Sequence, residues 1–189
     1  MRGQSIAGMS ASRDRIDDDF YATPAGSIAD ILLKETLWGD ILEPACGDGA
    51  ISKVVEYIYP NCKVTSNDLV YRGYGNKKSI DFLTYEEPAD IIITNPPFSL
   101  FQEFAEKALK LARNKVIFFG KLQALEGQKR ATFLENSPLR TIYVFKARQN
   151  PLRNGSPTDE NGKAWASTMA FAWFVWEIGY TGKPTIEWL

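Results

Sequence analysis

The stretch Ile91-Ile92-Ile93-Thr94-Asn95-Pro96-Pro97-Phe98 decides how this chain is read. Three β-branched apolar residues in a row suit a strand buried on both faces of a parallel sheet. That strand has to end at Asn95, because two consecutive prolines supply no backbone donors and hold the chain extended. An asparagine, a stiff loop and an aromatic ring are thereby fixed at the carboxyl end of a central strand, where open α/β sheets bind ligands. At such a corner the Asn95 side-chain oxygen and the Pro96 carbonyl can both accept from one exocyclic amino group. Held in this way, the nitrogen lone pair is drawn out of conjugation and aimed at an electrophile. Phe98 offers a face on which a planar amide or base can stack. The blander alternative is a strand-ending turn whose asparagine caps a helix and whose phenylalanine belongs to the core.

Upstream, the apolar Ile41-Leu42 begins a first strand, and Glu43-Pro44-Ala45-Cys46-Gly47-Asp48-Gly49 follows it. Ile51, Val54, Val55 and Ile58 then trace an amphipathic helix. A glycine-rich turn between strand and helix lets the backbone come close to a ligand, with helix-terminal N–H groups facing it. The third glycine of the dinucleotide fingerprint is missing, and turns with two glycines also occur in unrelated folds. Lys63 to Asp68 reads as a second strand ending in an acid. A carboxylate about twenty residues beyond the glycines can accept from ribose hydroxyls, or can simply cap a turn. Nearer the start, Phe20-Tyr21-Ala22-Thr23-Pro24 precedes a helical pattern through Ile28, Ile31 and Leu32 to Leu37. Thr23-Pro24 predicts the helix start, a hydroxyl cap followed by proline in the first turn. Residues 1–18 lack periodicity and read as a flexible arm, which leaves 19–189 as one domain.

Ile80 to Leu83 is expected as a short third strand. Beyond Phe98, a helical face runs from Leu100 to Ala112, and Lys115 to Gly120 is a fifth buried strand. A helical stretch at Ala131 to Leu134 precedes strands at Arg140–Phe145, Met169–Glu177 and Thr185–Trp188. Phe171, Trp173, Phe174 and Trp176 read as core. Residues 146–167 form a long irregular insert, and loops of that length are functional or disordered. At the carboxyl rim its Arg148 and Arg153 would contact phosphates, together with Lys121 and Arg130; a solvated surface loop is the alternative.

The 189 residues suffice for one domain with a sizeable core. A net charge of −1 argues against a surface that coats nucleic acid, without excluding a local basic groove. The absence of histidine removes imidazole catalysis and histidine-ligated metal, and two cysteines make neither a disulfide framework nor a metal cluster. No apolar run approaches a membrane span. The expected compartment is the cytoplasm.

Asn-Pro-Pro-Phe at 95–98 resembles the catalytic motif of S-adenosyl-L-methionine-dependent amino-methyltransferases, which act on adenine N6, guanine N2 or protein glutamine. Glu-Pro-x-x-Gly-x-Gly at 43–49 resembles their cofactor turn, and Phe-Tyr-x-Thr-Pro at 20–24 their N-terminal cofactor motif. Phe-Val-Trp-Glu at 174–177 resembles phage-encoded members of the DNA-adenine type. The resemblance implies a Rossmann-like α/β methyltransferase fold. Its sheet would be seven-stranded and mostly parallel, with helices on both faces and the last main strand antiparallel. It further implies that Tyr21, Thr23 and Pro24 lie against the methionine end of the cofactor, and that Glu43 faces its sulfonium and amino end. Pro44, Ala45, Cys46, Gly47 and Gly49 would form the turn, Asp68 with Leu69 would take the ribose, and Asp81 and Phe82 would meet the adenine. Cys46 is then a small loop residue and not a nucleophile.

The implied reaction is methyl transfer to adenine N6 in DNA, with Asn95, Pro96, Pro97 and Phe98 at the reacting centre and no metal. Two alternatives stand beside it. One is an RNA or protein-glutamine amino-methyltransferase sharing the same corner; the other is an idle subunit that binds cofactor or DNA. No stretch is large enough for a separate target-recognition domain, which leaves relaxed specificity, another nucleic acid, a partner subunit or a homo-oligomer open.

Overall fold

The computed structural model describes residues 20–153, 156, 158, 161–162 and 169–189. The expected arm at 1–18, and within the insert residues 154–155, 157, 159–160 and 163–167, lie outside them. In chain order the elements are β1 (Tyr21–Ala22), α1 (Ala25–Lys34), β2 (Asp40–Glu43), α2 (Ala50–Ile58), β3 (Lys63–Ser66) and β4 (Ala89–Thr94). Then come α3 (Phe101–Leu111), β5 (Ala112–Lys121), α4 (Gln128–Glu135), β6 (Leu139–Val144), β7 (Leu152–Arg153), β8 (Phe171–Glu177) and β9 (Thr185–Trp188).

Seven strands form one sheet in the order β3-β2-β4-β5-β8-β6-β9. β2, β3, β4 and β5 run parallel. The aromatic strand β8 lies antiparallel between β5 and β6, and β9 pairs parallel with β6. The side-chain period of two sorts each strand between two apolar layers. Ile91 and Ile93 face α1 and α2 with Ile117, Phe119 and Trp173. Ile92 faces α3 with Val116, Phe118, Phe174 and Trp176. Each such side chain contributes about 1.5–3 kcal/mol by leaving water. The stretch quoted first is therefore the centre of the molecule, and its Asn-Pro-Pro exits at the carboxyl edge.

The sheet has the seven strands expected in number, but one of the eight segments read as strands does not join it. Ile80–Leu83 is not a strand. The Asp81 carboxylate accepts from the Leu83 N–H at 2.9 Å, and Phe82–Thr84 closes into a 3₁₀ turn with Tyr85 N–H on the Phe82 carbonyl. These local bonds consume the groups a ladder would need. The strand expected at Thr185–Trp188 is present as β9, at the opposite edge beside β6. Thr23 does not cap α1 either. Pro24 occupies the N-cap with no side-chain bond, and the Thr23 hydroxyl is buried without a partner. The insert also carries structure that its composition conceals, since Leu152–Arg153 pairs antiparallel with Tyr21–Ala22.

Candidate active site

The turns after β2, β3 and β4, together with β1, enclose a cavity of about 290 Å³. Its first wall is the glycine turn. Gly47 and Gly49 have φ of +56° and +84°, which disfavours any side chain, and Gly49 is the N-cap of α2. A Cβ on Gly47 would strike the Phe20 ring and one on Gly49 the Tyr74 ring. The glycines thus admit the protein's own aromatic rings and stand behind the wall, while Pro44, Ala45, Cys46 and Asp48 line it.

Glu43 ends β2 and lies 2% exposed at the edge of the cavity. Its carboxyl caps α2 from below, accepting from the Ser52 N–H at 2.8 Å and from the Ser52 hydroxyl. Burial pushes its pKa up to about 8, against the opposing pull of the Ser52 bonds, so at neutral pH the side chain is mostly uncharged. The acidic side chains at the wall besides it are Asp48, Asp68 and Asp81. Burial, then the charges of Glu43 and Asp68, pushes the Cys46 thiol up to about 12, and a thiol held protonated is no nucleophile.

Asp68 follows β3 and ties the turns together. One carboxylate oxygen accepts from Gly47 N–H at 2.7 Å; the other accepts from Val70 N–H at 2.8 Å and from Arg72 at 3.2 Å. A carboxylate takes about four such bonds, so acceptor capacity remains for a hydroxyl. Leu69, Asp81 and Phe82 line the same cavity, with the Phe82 ring 5.0 Å from that of Phe104. Pro24 is not on the wall.

The unpaired atoms test whether a zwitterionic, ribose-bearing cofactor suits this cavity. Thr23 Oγ1 and Asp48 Oδ1 are both buried without a partner, and both residues are on the wall. An ammonium group satisfies a lone carboxylate oxygen, Asp68 has room for a ribose hydroxyl, and Leu69, Val70 and Phe82 give an apolar seat for a purine. The donor and acceptor set fits S-adenosyl-L-methionine.

The Asn95 corner forms the opposite wall. Asn95 Nδ2 donates to the Tyr21 carbonyl at 2.7 Å, which turns Oδ1 away as the acceptor. Asn95 caps no helix; the 3₁₀ turn at Phe98–Leu100 has Pro97 as its N-cap, with no side-chain bond. Asn95 and Pro97 line the cavity, whereas Pro96 is buried behind them. Phe98 is half-buried beside the cavity. Its ring stacks on Tyr21 (5.8 Å, 29°), meets Phe171 at 5.8 Å and has Lys121 Nζ 4.3 Å from its centroid.

The basic residues proposed for phosphate contact sit on different segments, with Lys121 paired to Phe171 and Arg148 lining a cavity with the same Phe171. Lys121 ends β5 at the corner itself. Arg130 on α4 turns back to the Glu126 carbonyl at 2.8 Å. Arg148 is exposed and lines a small cavity with Lys146 and Phe171, and for Arg153 only the main chain is described. Sequence reasoning assigned no role to Asp48, Arg72, Ser99 or Leu100, all on the cavity wall. Asp48, an acid between two glycines, carried a readable signal; the others did not. Among the described residues, no Cys, Asp and Glu cluster could hold a metal ion, and no helix is long and apolar enough to cross a membrane.

Comparison with known proteins adds three findings. The family profile described as "Adenine-specific methyltransferase EcoRI" matches residues 46–178. The type II methyltransferase M.MgeORF184P of Mycoplasma genitalium is 27% identical over 146 residues, 71% of this chain and 43% of that protein. The chain thus spans less than half the length of that relative. Two solved structures share the fold. A Listeria monocytogenes protein assigned as a class I S-adenosylmethionine-dependent methyltransferase superposes with a TM-score of 0.64 at 14% identity, covering 93% of this chain and 68% of that one. An S-adenosylmethionine-dependent O-methyltransferase of Thermotoga maritima gives 0.52 at 13%, covering 84% and 67%. With well over half its length matched, on a class I fold whose strand tips enclose a cavity suited to S-adenosyl-L-methionine, the chain belongs to the EcoRI family of adenine-specific methyltransferases.

Proposed function

We propose that this chain transfers a methyl group from S-adenosyl-L-methionine to an exocyclic amino nitrogen, and that the nitrogen is adenine N6 in DNA. One observation carries the reading: Asn95 shares a cavity with Asp68 and the glycine turn, and its Nδ2 is already committed to Tyr21. The remaining Oδ1 can only accept, which is what an amino group requires. The bound cofactor supplies an electrophilic methyl carbon. The chain supplies orientation: Asp48, Thr23 and Asp68 hold polar groups of the donor, while Asn95 Oδ1 accepts from the amino group of the acceptor. No side-chain base is required, because the nitrogen becomes acidic only as it gains the methyl. A base within duplex DNA has to be flipped out to reach this corner, and Phe98 beside it supplies aromatic surface. The adenine specificity in the family's description and the type II relative support DNA as substrate.

The test incubates the protein with labelled methyl donor and separate pools of DNA, RNA and protein, followed by nucleoside mass spectrometry. N6-methyladenine in DNA is expected. Label confined to RNA or protein overturns the DNA assignment, and cofactor binding without label in any pool overturns the activity. Asn95→Ala is expected to slow transfer by about 10²–10³-fold, with cofactor affinity changed by no more than about twofold. A normal rate would remove Asn95 from the reaction.

A further inference from the structure

We infer that Tyr21 is the positioning residue of the Asn95 corner, and that the insert strand β7 sets the orientation of Asn95 by holding Tyr21. The inference rests on the transfer reaction proposed above, but the geometry behind it is independent of substrate. Tyr21 grips both ends of the corner: its carbonyl accepts from Asn95 Nδ2 at 2.7 Å, and its ring stacks on Phe98. An asparagine amide turns about a broad, roughly two-fold torsion, so nothing local decides whether oxygen or nitrogen faces the cavity. A backbone carbonyl decides it, because it can only accept. With the amide reversed, two N–H groups would confront the amino group of the substrate and the corner would repel what it has to hold.

Tyr21 is in turn fixed from the far side of the sequence. Tyr21 opposes Arg153 and Ala22 opposes Leu152 in the β1–β7 ribbon, and Ala22 is 4% exposed. The start of the insert is anchored separately. Ser27 Oγ donates to Gln149 Oε1 at 2.5 Å, and the Ser27 carbonyl accepts from Trp173 Nε1 at 3.0 Å. A pull on the insert is therefore passed through two backbone segments to the Asn95 amide. Engagement of the insert by substrate and readiness of the corner become one event.

Two proline variants test this in the full chain. Opposed residues of an antiparallel ladder alternate between bonded and non-bonded pairs, so of Leu152→Pro and Arg153→Pro one removes a ladder N–H and the other does not. The readout is proton exchange of the Asn95 side-chain NH₂ in ¹⁵N-labelled protein, assigned by its disappearance in Asn95→Asp. The ladder-breaking variant is expected to speed that exchange by about tenfold and to lower kcat by a similar factor, with KM for the cofactor within about twofold. The other proline, and Arg153→Ala, which keeps the main chain, are expected to leave the Asn95 amide as it is. If a proline variant fails to fold, the double variant Leu152→Gly with Arg153→Gly loosens the ribbon and gives the same readouts. Loss of protection at the Ala22 amide with no change at the Asn95 amide would overturn the inference. Because exchange is read without substrate, an inactive protein whose Asn95 amide still responds would sink the proposed reaction and leave the positioning role standing.

Discussion

The two ends of the sheet treat buried polar groups in opposite ways. Towards the amino ends, Glu35 is 3% exposed and both its oxygens are matched. Lys115 Nζ reaches one at 2.6 Å; Arg140 and the Tyr143 hydroxyl, at 2.8 Å, reach the other. Lys115 also sits 5.2 Å above the Trp38 ring, and burial, reinforced by the bond to Glu35, pushes the Tyr143 hydroxyl up. At the carboxyl ends, Thr23, Asp48, Asn67 and Thr94 each leave a buried oxygen without a partner among the described residues. Such an atom costs about 1–3 kcal/mol, and folds keep few of them. At the amino ends the one such atom among the described residues is Arg140 Nε, and it lies 3.0 Å from the Glu177 carboxylate; at the carboxyl ends Thr23 and Asp48 stand on the cavity wall, where a bound molecule could meet them, while Asn67 and Thr94 do not. Burial of charge alone would have chosen the wrong end, since the denser cluster serves stability.

The sharpest way to break this contrast is to damage the matched end. Glu35→Ala strands Lys115 as a buried, unpaired charge and is expected to cost about 3–5 kcal/mol in urea unfolding. Transfer per folded molecule should stay at the parental level. A loss of transfer in fully folded protein would mean that the two ends are coupled. The next effect lies at the open end. Asp68→Asn removes the charge that binds Gly47, Val70 and Arg72, and is expected to weaken cofactor binding about 10- to 100-fold by calorimetry. Unchanged affinity would remove Asp68 as a cofactor ligand.

How much of this could be read beforehand depended on whether local chemistry or distant packing made the decision. The triple isoleucine and the two prolines fix a strand, its end and its exposure within eight residues, so the Asn95 corner was legible. The aromatic run of β8 identified itself as core in the same way. Ile80–Leu83 misled because four apolar-rich residues carry no period, and the Asp81 side chain competes for the backbone donors. The β1–β7 ribbon joins two-residue strands far apart in sequence, and a backbone acceptor such as the Tyr21 carbonyl has no residue type to betray it. The glycines were legible as a tight turn, but not as seats for Phe20 and Tyr74. Glu43 was legible as an acid; that Ser52 and burial would hold it protonated required the third dimension.

Glu43 gives an effect of another kind, a change of slope and not of level. Its carboxyl has an ordinary pKa of 4.5 and is raised to about 8 in the fold, chiefly by burial. Between those values the folded chain holds a proton that the unfolded chain has released. Stability conferred at low pH is therefore lost as pH rises from 4.5 towards 8. Glu43→Gln cannot titrate and keeps an oxygen acceptor for Ser52. The variant is expected within about 1 kcal/mol of the parent at pH 5, and to become the more stable of the two as pH approaches 8. Urea midpoints at each pH would show the parental curve falling away from a flatter one. Parallel curves would mean that Glu43 is ionised in the fold, so that a further negative charge, beside Asp48, Asp68 and Asp81, faces the cofactor cavity and the open end of the sheet is more acidic than its geometry implies.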